Sequence, residues 1–230
     1  FSAHRFSLAG TGMEREIEDL NKRLVSISQD AVGGRAWIIG DMAPTGRVLE
    51  SRGGDTSVDE LFDVYFQQAS ALIEAGVDLI GIETMMSLEE TMVALDAAMA
   101  AGDLAVTCTM SVEADGNALY DGNAVEAMET LQAMGAAAVG LNCSVGPDQL
   151  ECVVRNMKEV AEVPVIAKPN AGLPFIDETG KAIYSMGPVE FARYMKTLAD
   201  AGASVIGGCC GTNPEYIRKT RLALEGKLIL

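Results

Sequence analysis

Cys209 and Cys210 stand side by side between glycines, in Gly207-Gly208-Cys209-Cys210-Gly211-Thr212, and Cys143 follows another apolar run 66 residues earlier. Thiolates are favoured zinc ligands, and a catalytic zinc is held by three protein ligands with a fourth position open. Three cysteines meet that count. Neighbouring side chains on an extended strand point to opposite faces. Cys209 and Cys210 therefore reach one ion only where the backbone bends sharply, and Gly207, Gly208 and Gly211 supply that freedom. The pair also suits small buried hydrophobes or a vicinal disulfide, and spacing alone leaves these readings open. Gly207-Gly208 also fits a barrel phosphate site, although two adjacent thiols make a poor anion nest.

A zinc ion on three thiolates carries net negative charge and polarises water weakly. It is better suited to binding a substrate thiol, lowering its pKa and keeping its sulfur nucleophilic toward an electrophilic carbon such as a transferable methyl group. The one histidine, His4, is not obviously placed to be a fourth ligand. Cys108, inside a strand, and Cys152, inside a helix, read as core or interface residues. Glu83 ends a strand beside Thr84, where a carboxylate holds a substrate ammonium or caps the next helix. Asp41 and Asn170 are further candidates at strand ends. Asn142 is placed to orient Cys143 through a hydrogen bond, and with Glu83, Asp41 and Asn170 it is a candidate for contacting the substrate. Met85, Met86, Met92 and Met99 read as core filling.

The elements that position these residues alternate regularly. Short apolar runs over 36–40, 77–82, 104–110, 137–141, 164–168 and 203–206 read as strands. Helical spacing follows over 57–76, 88–101, 124–134, 147–161, 188–201 and 214–224, with another helix over 14–31 ahead of the first strand. Ser57 with Glu60 forms a capping-box pattern. Continuous apolar strands are buried on both faces, and strict strand–helix alternation implies a parallel sheet. No G-x-G-x-x-G follows the first strand, so a dinucleotide-binding sheet lacks its fingerprint. Asp41, Glu83, Asn142, Cys143, Asn170, Cys209 and Cys210 all fall at C-terminal strand ends, which converge on one rim in a (β/α)8 barrel. The expected fold is that TIM-type barrel, one domain over residues 1–230. Six strand–helix units are two short of eight, so the first one to two units are expected to be missing ahead of Phe1. The stretches 41–55 and 170–187 read as irregular loops overhanging the rim.

With 230 residues the chain buries a substantial core. Its net charge of −16 argues against a nucleic-acid partner. No apolar run reaches the roughly 18 residues of a membrane span, and the start has no signal-peptide layout. Five cysteines, two of them adjacent, do not resemble a secreted disulfide framework, and a reducing, cytoplasmic setting is expected.

Gly140-Leu141-Asn142-Cys143 and Gly207-Gly208-Cys209-Cys210-Gly211-Thr212 resemble the two zinc-ligand motifs of the homocysteine S-methyltransferase family. The segments 40–46, 83–85 and 168–174 are similar to parts of the homocysteine-binding domain of cobalamin-dependent methionine synthase, and less like the betaine-dependent branch. The resemblance implies a (β/α)8 barrel with zinc on Cys143, Cys209 and Cys210, homocysteine as the thiol, and Glu83 on its amino group. It implies methylcobalamin as donor, presented by a separate corrinoid-binding domain or protein, since the D-x-H-x-x-G corrinoid pattern is absent here. The family's Asp-Gly-rich loop after the first strand is also missing from this sequence, as is most of the second strand, whose very end Phe1 resembles; in the family the missing part lines the homocysteine pocket. An open barrel with poor activity is expected of a chain without it. Other donors, such as S-methylmethionine or a betaine, and a non-catalytic zinc- or thiol-binding subunit remain as alternatives.

Overall fold

The computed structural model describes residues 2–228. The six expected strands form one parallel sheet: β1 (Ile39–Met42), β2 (Leu79–Met85), β3 (Val106–Met110), β4 (Ala138–Asn142), β5 (Val165–Lys168) and β8 (Ala203–Ile206), ordered β1-β2-β3-β4-β5-β8. Between β5 and β8 a small antiparallel hairpin, β6 (Pro174–Ile176) and β7 (Ala182–Tyr184), stands apart from the main sheet. Each parallel strand leads into a helix: α3 (Val58–Glu74), α4 (Leu88–Ala101), α5 (Ala124–Ala133), α6 (Glu151–Val160), α7 (Pro188–Asp200) and α8 (Pro214–Leu224). Two helices, α1 (Arg5–Leu8) and α2 (Ile17–Val32), precede β1. This is a partial (β/α)8 barrel, six units of parallel sheet with the helices outside. The reading of Phe1 as a strand end lies outside the described residues.

Local chemistry accounts for the helix starts. Ser57 and Ser87 each accept the N–H three residues on, from Glu60 and Glu90 at 3.1 Å, while Asn123 and Asn213 cap α5 and α8. Pro188 and Pro214 occupy the first helical turn, where a missing N–H costs nothing. The apolar helix faces meet the outer side of the sheet in one core that includes Tyr65, Leu72, Leu95, Met128, Leu131, Val154, Phe191 and Leu198.

The inner side of the sheet follows the two-residue period of strands. Ile39 and Asp41, Leu79, Gly81 and Glu83, Thr107 and Thr109, Ala138, Ile166 and Lys168, and Val205 line a cleft of about 500 Å³. Its floor is apolar and its C-terminal rim polar. Among the described residues β1 and β8 are the two edges of the sheet, and Trp37, Ile39 and Val205 are exposed near them.

Two expectations change. The first strand begins three residues later than its apolar run suggests, because Ile38 donates its N–H to the Asp78 carboxylate at 2.7 Å rather than to a ladder; Asp41 therefore lies within β1. The stretch 170–187 is not wholly irregular. Its hairpin strands have three residues each and are largely exposed, too short for a hydrophobic period to register. The turn is closed by Asp177, whose Oδ1 accepts from Thr179 N, Thr179 Oγ1 and Lys181 N.

Candidate metal centre

The three cysteines meet because the strands that carry them are close neighbours. Cys143 follows β4, Cys209 and Cys210 follow β8, and β5 lies between. The loop after β5 ties both sides by backbone bonds. Cys143 N donates to Lys168 O at 3.2 Å, Cys209 N to Pro169 O at 2.9 Å, and Ala171 N to Cys210 O at 2.9 Å. Asn170 completes the bridge: its Nδ2 donates to Ser144 O at 2.9 Å and its Oδ1 accepts from Cys210 N at 3.0 Å. Cys143 itself has φ 51 and Thr84 φ 62, both left-handed. Such backbone costs about 1–3 kcal/mol per residue and persists where surroundings over-determine it, often at functional sites.

The three sulfurs lie within 4.8 Å of one another, with Cys143 and Cys210 3.5 Å apart. A tetrahedral zinc with Zn–S near 2.3 Å separates its sulfurs by roughly 3.8 Å, so the donor set fits the ion. All five cysteines are free thiols, so Cys209 and Cys210 do not form the vicinal disulfide. The cluster's own electrostatics also call for a cation. Cys209 accepts hydrogen bonds from the Cys143 thiol above all, then from the Cys210 N–H and the Asn142 amide; these outweigh burial and bring its pKa down to about 6. The hydrogen bond to Cys209, then burial, then the charge on Cys209 and the neighbouring Cys210 push Cys143 far above the ordinary thiol range. The three thiols thus share their protons, and a bound cation would favour their thiolate forms.

Asn142 is buried at the inner rim, 1% exposed. Its Oδ1 accepts from Thr84 N and Thr109 Oγ1, each at 2.7 Å, and its Nδ2 donates to Thr84 Oγ1 at 2.8 Å and reaches Cys209 Sγ at 3.7 Å. The thiol its amide reaches is that of Cys209 rather than that of Cys143. Asn142 and Asn170 were both candidates for touching substrate, yet their amides are engaged with the protein. Glu83 pairs with Lys168 across the sheet, and Asp41 faces the same cleft. Burial, and then the Glu83 carboxylate, push the Asp41 pKa upward. His4 is buried at the start of α1, and it does not belong to the thiol cluster. Cys108 is buried in β3, where burial pushes its thiol up to about 12, whereas Cys152 is exposed on α6.

Sequence reasoning passed over four site residues. Thr84 and Thr109 hold Asn142, and Lys168 sits on Glu83. Tyr184, at the end of β7, lies against Gly211 and faces the Cys210 thiol; burial and that thiol raise its pKa. A methyl group on Gly211 would come 2.2 Å from the Tyr184 ring, and Gly211 has φ 79. Lys168 alone had a readable signal, two residues beyond Ile166 on the same strand face.

A family model described as Homocysteine S-methyltransferase matches residues 1–224. The chain belongs to the homocysteine S-methyltransferase family. Among curated relatives, the methionine synthase of Mycobacterium tuberculosis (strain ATCC 25618 / H37Rv) is 29% identical over 236 residues, covering 97% of this chain and 20% of that protein. The methionine synthase of Mycobacterium leprae (strain TN) is 28% identical over 236 residues, covering 97% and 19%. The chain thus spans about a fifth of the length of these relatives. In solved structures, the homocysteine methyltransferase MmuM from Escherichia coli matches in its oxidized form with TM-score 0.77, 17% identity and coverage of 99% of this chain and 77% of that one. Its metallated form matches with TM-score 0.73 and 18% identity, covering 96% and 76%. At that identity the structural likeness establishes the barrel fold that this family member shares.

Proposed function

We propose that this chain binds zinc through Cys143, Cys209 and Cys210 and transfers a methyl group to the thiol of homocysteine, giving methionine. The observation that carries the reading is the convergence of three thiols within 4.8 Å at the C-terminal rim of the barrel. Family membership supports homocysteine as acceptor, and the metallated neighbour supports a metal. Zinc bound here would supply the Lewis acidity that keeps a substrate thiol deprotonated and nucleophilic at neutral pH.

The chain's own residues arrange the rest. Asn142 and Asn170 hold the two cysteine-bearing loops in register. Glu83, with Asp41 beside it, offers a carboxylate to the substrate's ammonium, and the cleft below receives the amino-acid end. The donor in this reading is methylcobalamin on a separate corrinoid-binding domain or protein, supported by the likeness to methionine synthases. The open edges β1 and β8, with apolar residues exposed near both, support a barrel completed by further strand–helix units. Among the described residues no helix is long and apolar enough to cross a membrane, and a trio of free thiols suits the reducing cytoplasm.

Zinc analysis followed by methyl-transfer assays tests this. The barrel completed by its further strand–helix units should bind zinc and methylate homocysteine from methylcobalamin, and Cys210→Ala should lose both. Stoichiometric zinc in Cys210→Ala would overturn the ligand set. Turnover with S-methylmethionine or a betaine in place of methylcobalamin would reassign the donor, and zinc binding with no turnover from any donor would indicate a binding subunit.

A further inference from the structure

The ion pair between Lys168 and Glu83 spans the inner face of the sheet, from β5 to β2. Neither end is sealed from solvent. The two side chains are 29% and 28% exposed, and both line the 500 Å³ cleft beside Asp41. The lysine stem lies over Gly207, where an added methyl would sit 2.9 Å from Lys168 Cγ. The pair is also next to the thiols. Lys168 O accepts from Cys143 N, and Thr84, adjacent to Glu83, is bonded to the Asn142 amide that reaches Cys209. Glu83 is the carboxylate assigned above to a substrate ammonium, so in the free chain another ammonium occupies it. Among the described residues the charged groups lining the cleft are Asp41, Glu83 and Lys168.

We propose that Lys168 is a specificity-determining residue: its ammonium holds Glu83 in the free chain and passes to the substrate's carboxylate when the substrate's ammonium takes Glu83. This rests on the reading of the thiol cluster and Glu83 given above. The exchange keeps every charge paired only when the incoming thiol is a zwitterion. A thiol amine without a carboxylate displaces Lys168 from Glu83 and offers it no carboxylate in return, which is costly in a half-buried cleft. A thiol acid without an ammonium finds Lys168 already engaged. The selected class is therefore the α-amino-acid thiols. A purely structural ion pair between β2 and β5 would instead affect all thiols alike.

The test uses cobalt-loaded protein, whose absorption reports a thiolate joining the metal. Homocysteine, 3-aminopropanethiol, which lacks the carboxylate, and 4-sulfanylbutanoate, which lacks the ammonium, are titrated against wild type, Lys168→Met and Lys168→Gln. Thermal unfolding checks that each variant is folded, and the second variant covers failure of the first. The wild type should prefer homocysteine over both analogues. Loss of the lysine should reduce the preference for homocysteine over 3-aminopropanethiol about tenfold, with 3-aminopropanethiol binding more tightly than to wild type. An unchanged preference, or an equal loss for all three thiols, overturns the proposal. If homocysteine binds and the preference is unchanged, only the role of Lys168 falls; if no thiol alters the wild-type spectrum, the thiol-binding reading falls with it.

Discussion

Replacing Asn142 with alanine should damage stability and metal binding together, by separable amounts. The amide is 1% exposed and makes three short hydrogen bonds: from Thr84 N and Thr109 Oγ1 to its Oδ1 at 2.7 Å, and from its Nδ2 to Thr84 Oγ1 at 2.8 Å. At about 1 kcal/mol net for each, Asn142→Ala should cost about 3 kcal/mol. That is a large part of a domain stability of about 5–15 kcal/mol, and it lowers the melting temperature by about 6–12 °C in a chain of this size. The 3.7 Å contact to Cys209 Sγ adds little to stability, but at the proposed zinc site it would orient a ligand, and loss of such a contact weakens metal binding about 10–100-fold. Thr109→Val is the control. It removes one of the 2.7 Å bonds without touching a thiol, so it should cost about 1 kcal/mol and leave zinc affinity unchanged. Thermal unfolding and competition with a chromophoric chelator measure the two effects. Wild-type zinc affinity in Asn142→Ala would refute the claim that this amide acts on Cys209, and a stability loss below that of Thr109→Val would refute the hydrogen-bond accounting.

Gly211→Ala places a methyl 2.2 Å from the Tyr184 ring at a residue with φ 79; it should destabilise by about 2–4 kcal/mol and weaken zinc binding, and an unchanged melting curve would contradict that. His4 is buried, accepts the Ser7 N–H on Nδ1, and has its pKa lowered from 6.5 to about 4, chiefly by burial. The unfolded chain therefore takes up this proton at higher pH than the folded chain, so stability is complete above pH 6.5 and falls by about 3 kcal/mol as pH drops toward 4; denaturant titrations should show His4→Asn flattening that window. Stripping zinc with a chelator should lower the melting temperature, since free zinc at about 1,000 times its dissociation constant contributes about 4 kcal/mol; calorimetry with and without the metal reads this directly.

The rim was legible in the sequence because its chemistry is local. Two adjacent cysteines flanked by glycines, and a third at the end of another apolar run, need no knowledge of packing to suggest one ion. The six strands were legible because each is a short apolar run closed by a turn. What escaped depends on neighbours far away in sequence. Asn142 was expected to serve Cys143, the residue beside it. Strand geometry instead turns it to the inner face, where its partners come from β2, β3 and the loop after β8. Lys168 lies within a motif that was noticed, but its pairing with Glu83 exists only because β2 and β5 curve around one cleft. The left-handed conformation of Thr84 has no sequence signature, since threonine rarely adopts it. The β6–β7 hairpin is exposed and three residues deep, so no burial pattern marks it.

The central claim is that Cys143, Cys209 and Cys210 hold one zinc with a position left for a substrate sulfur. Zinc-edge X-ray absorption with and without homocysteine tests it most directly. Three sulfurs and one lighter atom around zinc in the free protein, becoming four sulfurs when homocysteine is added, is the expected result. Fewer than three sulfurs before addition, or an unchanged shell after it, would contradict it.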